Sequence, residues 1–298
     1  VWLRIRGQES EADDRDEAIS YRAAVAGAVV GFLALSVFMK QIGLSPVIAI
    51  VAFLIYFVLS TAIARMRAEL GPPVHDLHFS GPDYMITSSL GLGKLSNQDL
   101  VGLTFFYWFN RAYRNHPMPH QLEAMQMQDR SGARNKGVGQ AILLATVVAI
   151  ISSFWVSLHL YYSLGAKAKG RMFAGESFTK LQSWLISPQD TNWYAMSAIG
   201  VGFVFGLFLQ TMRLRYAWWP FHPLGYAVSG SWEMNLVWMP LLIAWILKTA
   251  IIKWLGDRCY NKAVPIFMGL ILGQFVTNGL WIVIDAFAGG TGNRIFWI

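Results

Sequence analysis

Charged residues are scarce in this sequence, and their scarcity excludes most soluble architectures. Only 14% of the 298 residues are Asp, Glu, Lys or Arg, against about 25% in an ordinary soluble domain, while 55% are hydrophobic. Five segments contain no charged residue: 23–39, 41–64, 137–166, 191–212 and 263–284. A sixth segment, 234–252, contains only Lys248. Because roughly 18 apolar residues suffice to span a membrane, the sequence predicts an all-α polytopic transmembrane bundle of about six spans over 21–298.

Cysteine and the common catalytic motifs are also missing. The single Cys259 excludes an internal disulfide and any multi-cysteine metal site. There is no Walker A loop, no HExxH and no GxSxG, so ATP-driven transport, zinc proteolysis and serine hydrolysis have no motif here. Four histidines, in HDLH at 75–78 and HPMPH at 116–120, match no strong metal spacing. We therefore predict no metal and no cofactor, and the composition favours a protein other than an enzyme.

The basic charge balance is explained by the membrane rather than by nucleic acid. The net charge is +7, but Lys and Arg lie between the predicted spans, and no folded basic module is visible. With six spans and a cytoplasmic N-terminus, fifteen basic residues lie on the inner side and eight on the outer side. The polar tail 1–20 is acidic, which is the wrong flank for a cleaved signal peptide. We expect both ends to be cytoplasmic and the chain, which begins at Val1, to be a fragment or one half of a longer protein.

Two connections between spans contain apolar or amphipathic stretches. The connection 65–136 includes LVGLTFFYWFN at 100–110, which is too short to span but suits a re-entrant or interfacial helix. Its Asn97-Gln98-Asp99 start offers an N-cap. The stretch SFTKLQSWLI at 177–186 predicts an amphipathic helix on the outer surface.

The last span carries a polar stripe. Gln274, Asn278 and Asp285 are 4 and 7 residues apart, which places them on one helix face together with Trp281. A carboxylate within the membrane is a functional candidate, although the AGGTGN that follows also fits an interfacial Asp285. Lys248 either snorkels to the surface or pairs with Asp285.

The segment 216–232 cannot form one straight helix. Within RYAWWPFHPLGYAVSGSWEMN, Pro220 and Pro223 remove backbone donors, and Gly225 and Gly230 add flexibility. Broken helices at membrane depth are tolerated where they line a cavity, as in many secondary transporters. The sequence therefore predicts a broken helix turned to a polar cavity, with an interfacial aromatic belt as the alternative. Glu233 follows, where it either caps the next helix or couples to ions or protons.

The block WWPFHPLGYAVSGSWEMN, the later FMGLILGQFVTNGLWIVID and the RMRAELGPPVHD of 65–76 resemble the C-terminal membrane region of uncharacterised prokaryotic proteins related to the oligopeptide transporter superfamily. The resemblance implies a two-halved bundle in a prokaryotic cytoplasmic membrane that moves a small polar or peptide-like solute by alternating access, commonly coupled to protons. This chain has about six spans, so it corresponds to one half and would act with a second transmembrane half or as a homo-oligomer.

These observations combine into one predicted site. Substrate binding is assigned to His222, Pro223, Gly225, Ser229, Gln274 and Asn278, and proton or ion coupling to Glu233 and Asp285, with His222 as a further group that changes protonation. Two alternatives stay open: a membrane-embedded enzyme acting on lipid-type substrates, with His222, Glu233 and Asp285 as acid and base, and a non-catalytic membrane scaffold subunit.

Overall fold

All regular structure in the described part of the chain is helical, which confirms the predicted all-α fold. The computed structural model describes residues 14, 17–71, 77, 80–132, 135–165 and 171–288, with the backbone alone at 135–136, 171–174, 233 and 286. The α-helices are α1 (Tyr21–Gln41), α2 (Pro46–Leu70), α3 (Pro82–Leu90), α4 (Asn97–Asn110), α5 (Met118–Ser131), α6 (Asn135–Leu164), α7 (Arg171–Ile186), α8 (Trp193–Arg215), α9 (Pro223–Ser229), α10 (Trp232–Ala250) and α11 (Gly256–Ala288). The chain divides into two compact units, 1–229 and 230–298.

Five helical segments are long and apolar enough to cross a membrane. They are Tyr21–Gln41, Pro46–Leu70, Gly137–Leu164, Trp193–Arg215 and Met234–Asp285. The last contains 52 residues, about 78 Å of helix at 1.5 Å per residue, whereas one pass needs about 30 Å. A π-helical turn, Ile251–Leu255, and Gly256 with a φ of 76° divide it. By length and composition, the five segments hold the six predicted passes.

The helical hairpin α1–α2 forms because the chain reverses at a glycine. Ser20 caps α1 by accepting a hydrogen bond from the Ala23 backbone N–H, and the turn contains Gly43 at a φ of 104°. Pro46 opens α2, where a missing N–H costs nothing. Gly71, with a φ of 58°, ends α2 in the left-handed conformation.

The helix α4 lies along α2 and supplies the core of the first unit. It begins with a capping box, in which Ser96 is the N-cap residue and Asp99 is the third residue of the helix. The N-cap residue therefore lies one position before Asn97, where the sequence predicted the capped start. Asp99 also accepts a 2.7 Å hydrogen bond from the backbone N–H of Ser45 in the α1–α2 turn. These hydrogen bonds hold the Asp99 carboxylate in its charged form: burial raises its pKa, but the bonds from Ser45 and Ser96 outweigh burial and lower it.

From that anchor α4 runs beside α2 in the same direction. The rings of Phe53 and Phe106 are 5.1 Å apart, and those of Tyr56 and Phe109 are 5.2 Å apart. Leu103 and Phe106 are fully buried. The apolar run 100–110 is therefore packed against the first half of a candidate span.

The helix α7 covers the whole stretch 177–186 for which the sequence predicts an amphipathic helix. It is longer than predicted, starting at Arg171, and one of its faces packs on α4. Ser177 is fully buried there and accepts a 3.3 Å hydrogen bond from the Trp108 indole N–H. The polar face of an amphipathic helix such as α7 can contact either solvent or polar groups of other helices. Here some of those polar groups come from α3 and α4.

Candidate solute-binding site

The predicted break between α8 and α9 falls slightly earlier than the sequence indicates. The helix α8 ends at Arg215, residues 216–222 are irregular, and Pro223 opens α9 instead of interrupting it. Proline is well suited to that first helical position because its missing N–H would be unsatisfied there anyway. The freed backbone groups therefore lie at 216–222. Gly225 lies inside α9 with open space beside it.

His222 joins this break to the end of α2. Its Nδ1 accepts a 3.1 Å hydrogen bond from the backbone N–H of Leu224, so the imidazole caps the start of α9. Its Nε2 lies 3.6 Å from a carboxylate oxygen of Glu69. Since Nδ1 is the acceptor, the neutral ring carries its proton on Nε2, which faces that carboxylate.

Glu69 connects three parts of the first unit. It also binds Arg65 at 2.7 Å within α2 and lies 3.7 Å from Arg213 of α8. The side chains of Leu224 and Val228 pack beside Ile63 and Met66 of α2. The segment that carries His222 is thus fixed against α2 by one carboxylate and an apolar contact.

Ser229, the last residue of α9, uses its hydroxyl locally. The hydroxyl donates a 2.7 Å hydrogen bond to the carbonyl of Tyr226 and is exposed. It remains available as an acceptor for a ligand.

The other predicted residues belong to the second unit. Gln274 is exposed on α11, and Asn278 and Asp285 on the same helix are half-buried. Trp281 is 48% exposed. The side chain of Glu233 lies outside the described residues.

A second polar site, which the sequence did not predict, lies between α3, α4 and α7. Asp83 follows Pro82 at the start of α3 and is only 3% exposed. One of its carboxylate oxygens lies 2.7 Å from the ammonium of Lys180 on α7, and the other accepts a 2.9 Å hydrogen bond from the Asn110 amide at the end of α4. Both oxygens therefore have strong partners, which a buried carboxylate requires.

Aromatic rings hold Lys180 above this carboxylate. Its ammonium lies 5.0 Å from the ring centre of Trp184 and 5.5 Å from that of Tyr107. Cation–π attraction is strongest at such partly desolvated positions. Lys180 is therefore held between an anion and two π faces, with about a third of its side chain still exposed.

A second ion pair lies one turn away on α7 and joins this helix to the end of α4. Arg111 binds Glu176 of α7 at 2.8 Å, and the Tyr107 hydroxyl donates a 2.6 Å hydrogen bond to the same carboxylate. The hydrogen bond to Glu176 raises the pKa of Arg111, and burial together with Glu176 raises the pKa of Tyr107. Both groups therefore keep their protons at neutral pH.

Next to Lys180 lies a polar pocket of about 210 Å³. It is lined by Tyr84, Thr87, Ser88, Leu92, Lys180, Ser183, Trp184, Ser187, Gln189, Asp190 and Asn192. Its rim is closed by main-chain hydrogen bonds, from the Leu92 N–H to the Gln189 carbonyl at 2.8 Å and from the Asn192 N–H to the Ser88 carbonyl at 2.9 Å. The pocket thus offers one cation, one carboxylate and several hydroxyls and amides within a chain of apolar helices.

Little in the sequence points to this pocket. Asp83 sits in a short helix between two connections, and Lys180 lies in an amphipathic stretch whose polar face is normally solvated. The only signal is that Ser177, Ser183 and Ser187 lie on one helix face together with Lys180. Within the described residues, no group of three or more His, Cys, Asp or Glu side chains could hold a metal ion, and His75 and His78 lie outside them.

The fold defines an all-α polytopic membrane protein with a polar pocket lined by short helices and by the connection 187–192. More particularly, the chain belongs to the family described as "Family of unknown function (DUF6785)", whose model matches residues 1–297. Neither the curated proteins nor the solved structures contain a match to this chain.

Proposed function

We propose that this protein is a secondary transporter, or the C-terminal half of one, which moves a small polar or peptide-like solute by alternating access. The observation that carries the proposal is the polar pocket beside the Asp83–Lys180 pair, since a bundle needing only stability would fill that space with apolar side chains. The proposal includes a prokaryotic cytoplasmic membrane with the N-terminus in the cytoplasm.

The size of the pocket supports a small solute. Its volume of about 210 Å³ is below the roughly 300–1,000 Å³ of sites that hold drug-sized ligands. Its lining mixes donors such as the hydroxyls of Ser183 and Ser187 with the carboxylate of Asp190. A zwitterionic or otherwise polar molecule of amino-acid to dipeptide size fits this chemistry.

The packing of the pocket's walls supports movement. One wall is the short α3, which contacts α7 through the ion pair of Asp83 with Lys180, whereas Ile86 packs it into the apolar core beside α4. Polar contacts of this kind can exchange partners, whereas an interdigitated apolar core resists sliding. A solute that binds Lys180 in the pocket therefore competes with Asp83 and changes how firmly α3 is held against α7.

The irregular segment 216–222 supports the proposal that a second part of the protein moves during transport. Its irregular backbone is joined to α2 through His222 and Glu69, and a break beside a span provides freed backbone groups for polar ligands. We assign solute contacts to His222, Pro223, Gly225, Ser229, Gln274 and Asn278, and coupling to Glu233 and Asp285. Partners are the bilayer, the solute, and a second transmembrane half or further copies of this chain.

Uptake into proteoliposomes tests the proposal. Purified protein is reconstituted and supplied with labelled amino acids and with alanyl-alanine, with and without an inward pH gradient. We expect accumulation of at least one solute, loss of accumulation with Lys180→Gln, and normal accumulation with Lys94→Gln, which removes an exposed lysine elsewhere in the same unit.

Two outcomes would overturn the transporter assignment. The absence of uptake for every solute, with chemical change of the reconstituted lipids, would favour the membrane-embedded enzyme. The absence of both, for protein that remains folded, would favour a scaffold subunit.

A further inference from the structure

The second unit contains a crevice that the proposed transport function does not use. It has a volume of about 210 Å³ and lies between the end of α10 and the first half of α11. Its lining residues are Ala244, Leu247, Lys248, Ile251, Tyr260, Ala263, Val264, Phe267, Met268 and Ile271. Apart from Lys248 and the Tyr260 hydroxyl, every side chain in the crevice is apolar.

The backbone between the two helices creates this crevice. The chain widens into a π-helical turn at Ile251–Leu255, and Gly256 then adopts a φ of 76°, which side-chain-bearing residues rarely adopt. The regular α-helical hydrogen-bond ladder is thereby interrupted between α10 and α11. As a result, side chains that are far apart in sequence, such as Leu247 and Val264 at a separation of 17 residues, line the same crevice.

Lys248 is the one charge in the crevice. Its ammonium lies 5.4 Å from the ring centre of Tyr260. Within the described part of the chain, no ion pair joins Lys248 to a carboxylate. An unpaired ammonium beside apolar walls in a candidate span is costly, and it favours an anionic partner.

The surrounding charges favour the same partner. The π-helical turn and the first two turns of α11 carry Lys253, Arg258 and Lys262 against the single Asp257. Basic residues where helices meet the interface attract anionic lipid head groups. Charge complementarity therefore points to a phosphate group near Lys248 and Tyr260.

The apolar wall has the length of one lipid leaflet. From Tyr260 to Ile271 there are 11 helical steps, or about 16 Å, and half of a hydrocarbon core is about 15 Å. The polar end of the crevice adjoins the basic turn, and the apolar end lies further along the span. This is the polarity of a phospholipid with its head group at the turn.

We propose that this crevice is a binding site for one anionic phospholipid, with its phosphate on Lys248 and an acyl chain along Val264, Phe267 and Ile271. Tyr260 holds the ammonium from its other side and marks the head-group level. The site requires both an anionic head group and an acyl chain.

Native mass spectrometry of the purified protein tests the site. The protein in detergent is titrated separately with dioleoyl-phosphatidylglycerol and with dioleoyl-phosphatidylcholine. We expect one phosphatidylglycerol to be retained in preference to phosphatidylcholine, and its affinity to fall about fivefold in Lys248→Gln, the factor expected for one lysine near a head group.

Two further variants separate the charge from the crevice. Lys262→Gln removes an exposed lysine that does not line the crevice, and it should lower the affinity for phosphatidylglycerol less than Lys248→Gln does. Val264→Trp fills the crevice but keeps Lys248, and it should lose the bound lipid. Circular dichroism and gel filtration establish that each variant is folded.

The proposal is overturned if Lys248→Gln binds as tightly as the wild type, or if Lys262→Gln loses as much affinity as Lys248→Gln. It is also overturned if sn-glycerol 3-phosphate displaces the phospholipid, because the acyl chain would then contribute nothing. These measurements do not depend on transport, so their outcome is separate from that of the uptake experiment.

Discussion

The carboxylate of Asp83 and the ammonium of Lys180 are 2.7 Å apart, although 97 residues separate them in the chain. Asp83 is almost fully buried, while about a third of the Lys180 side chain is exposed. The pair joins α3 to α7 beside the polar pocket, and Asn110 joins the same carboxylate to α4. Three short elements between candidate spans are thus held together by one carboxylate.

Removing either partner should have unequal effects. In Lys180→Gln the buried carboxylate loses its cation, which costs on the order of 3 kcal/mol. In Asp83→Asn the lysine keeps its two aromatic rings and some solvent, so we expect a smaller loss of stability. Thermal unfolding in detergent measures both.

The double variant Asp83→Asn/Lys180→Gln sharpens this prediction. It should be less destabilised than the sum of the two single variants, because no unpaired charge remains. Asp129→Asn, at an exposed position on α5, serves as the control. Additive losses would mean that the two side chains do not interact.

Gly81 is required for the approach of Asp83 to Asn110. A Cβ atom at Gly81 would collide with the carboxylate of Asp83 and the amide nitrogen of Asn110. We expect Gly81→Ala to lower the free energy of unfolding by about 1–3 kcal/mol, as overpacking does. Gly93→Ala, beside which there is open space, should change it little. Equal stability of both variants in thermal unfolding would contradict this prediction.

The membrane-spanning pattern could be predicted from the sequence because charge exclusion over some 20 residues is a local property. The break near His222 could be predicted for the same reason, since Pro220 and Pro223 act on their own backbone. Its boundary differed because Pro223 fits the first position of a helix as well as it fits a break. Both features are determined within a few turns of chain.

The pocket could not be predicted because its parts are distant in sequence. Each of the three residues has an ordinary local explanation. Asp83 is an acidic residue in the first turn of a helix, Asn110 is the last residue of a helix, and Lys180 lies on a helix face that is normally solvated. Their meeting depends on α4 lying along α2, which in turn depends on the bond from Ser45 to Asp99. Tertiary pairings of this kind leave no local pattern, and only the serine-rich face of α7 hinted at polar partners.

His116 should make the protein acid-sensitive. Both nitrogens of its ring are buried, and neither has a hydrogen-bond partner among the described residues. Burial lowers its pKa. Above an unfolded-state pKa of about 6.5 the ring is neutral in both states. As pH falls below that value, only the unfolded state binds the proton, so stability falls until pH reaches the lower folded-state pKa.

We therefore expect the melting temperature of the wild type to fall between pH 7.5 and 5 by more than that of His116→Phe. The ring of Tyr56, 6.2 Å away, can pack on phenylalanine in the same way. His120→Gln removes an exposed histidine from the following helix and should retain the wild-type sensitivity. Identical pH profiles for the wild type and His116→Phe would assign the acid sensitivity to other groups.

The polar stripe on α11 predicts a water-accessible face. In a Cys259→Ser background, cysteines at Gln274, Asn278 and Trp281 should react with a water-soluble maleimide, because polar groups facing hydrocarbon would be unsatisfied. A cysteine at Leu272, about 160° from Gln274 around the helix, should be protected. Uniform protection of the three stripe positions would leave helix packing as the explanation.

His222 and Ser229 are predicted to serve the solute, yet His222 also caps α9, and the two roles can be separated. His222→Ala removes the ring that accepts the Leu224 N–H and faces Glu69, so both stability and uptake should fall. His222→Asn provides a short side chain that can cap the helix but cannot titrate. We expect this variant to recover the amount of folded protein, by gel filtration, while uptake into proteoliposomes stays impaired.

Ser229→Ala removes only an exposed hydroxyl bonded within α9 and should reduce uptake without loss of folded protein. If His222→Asn and Ser229→Ala both transport normally, the segment 216–232 acts as a structural anchor, and the polar pocket beside Lys180 is left as the solute site.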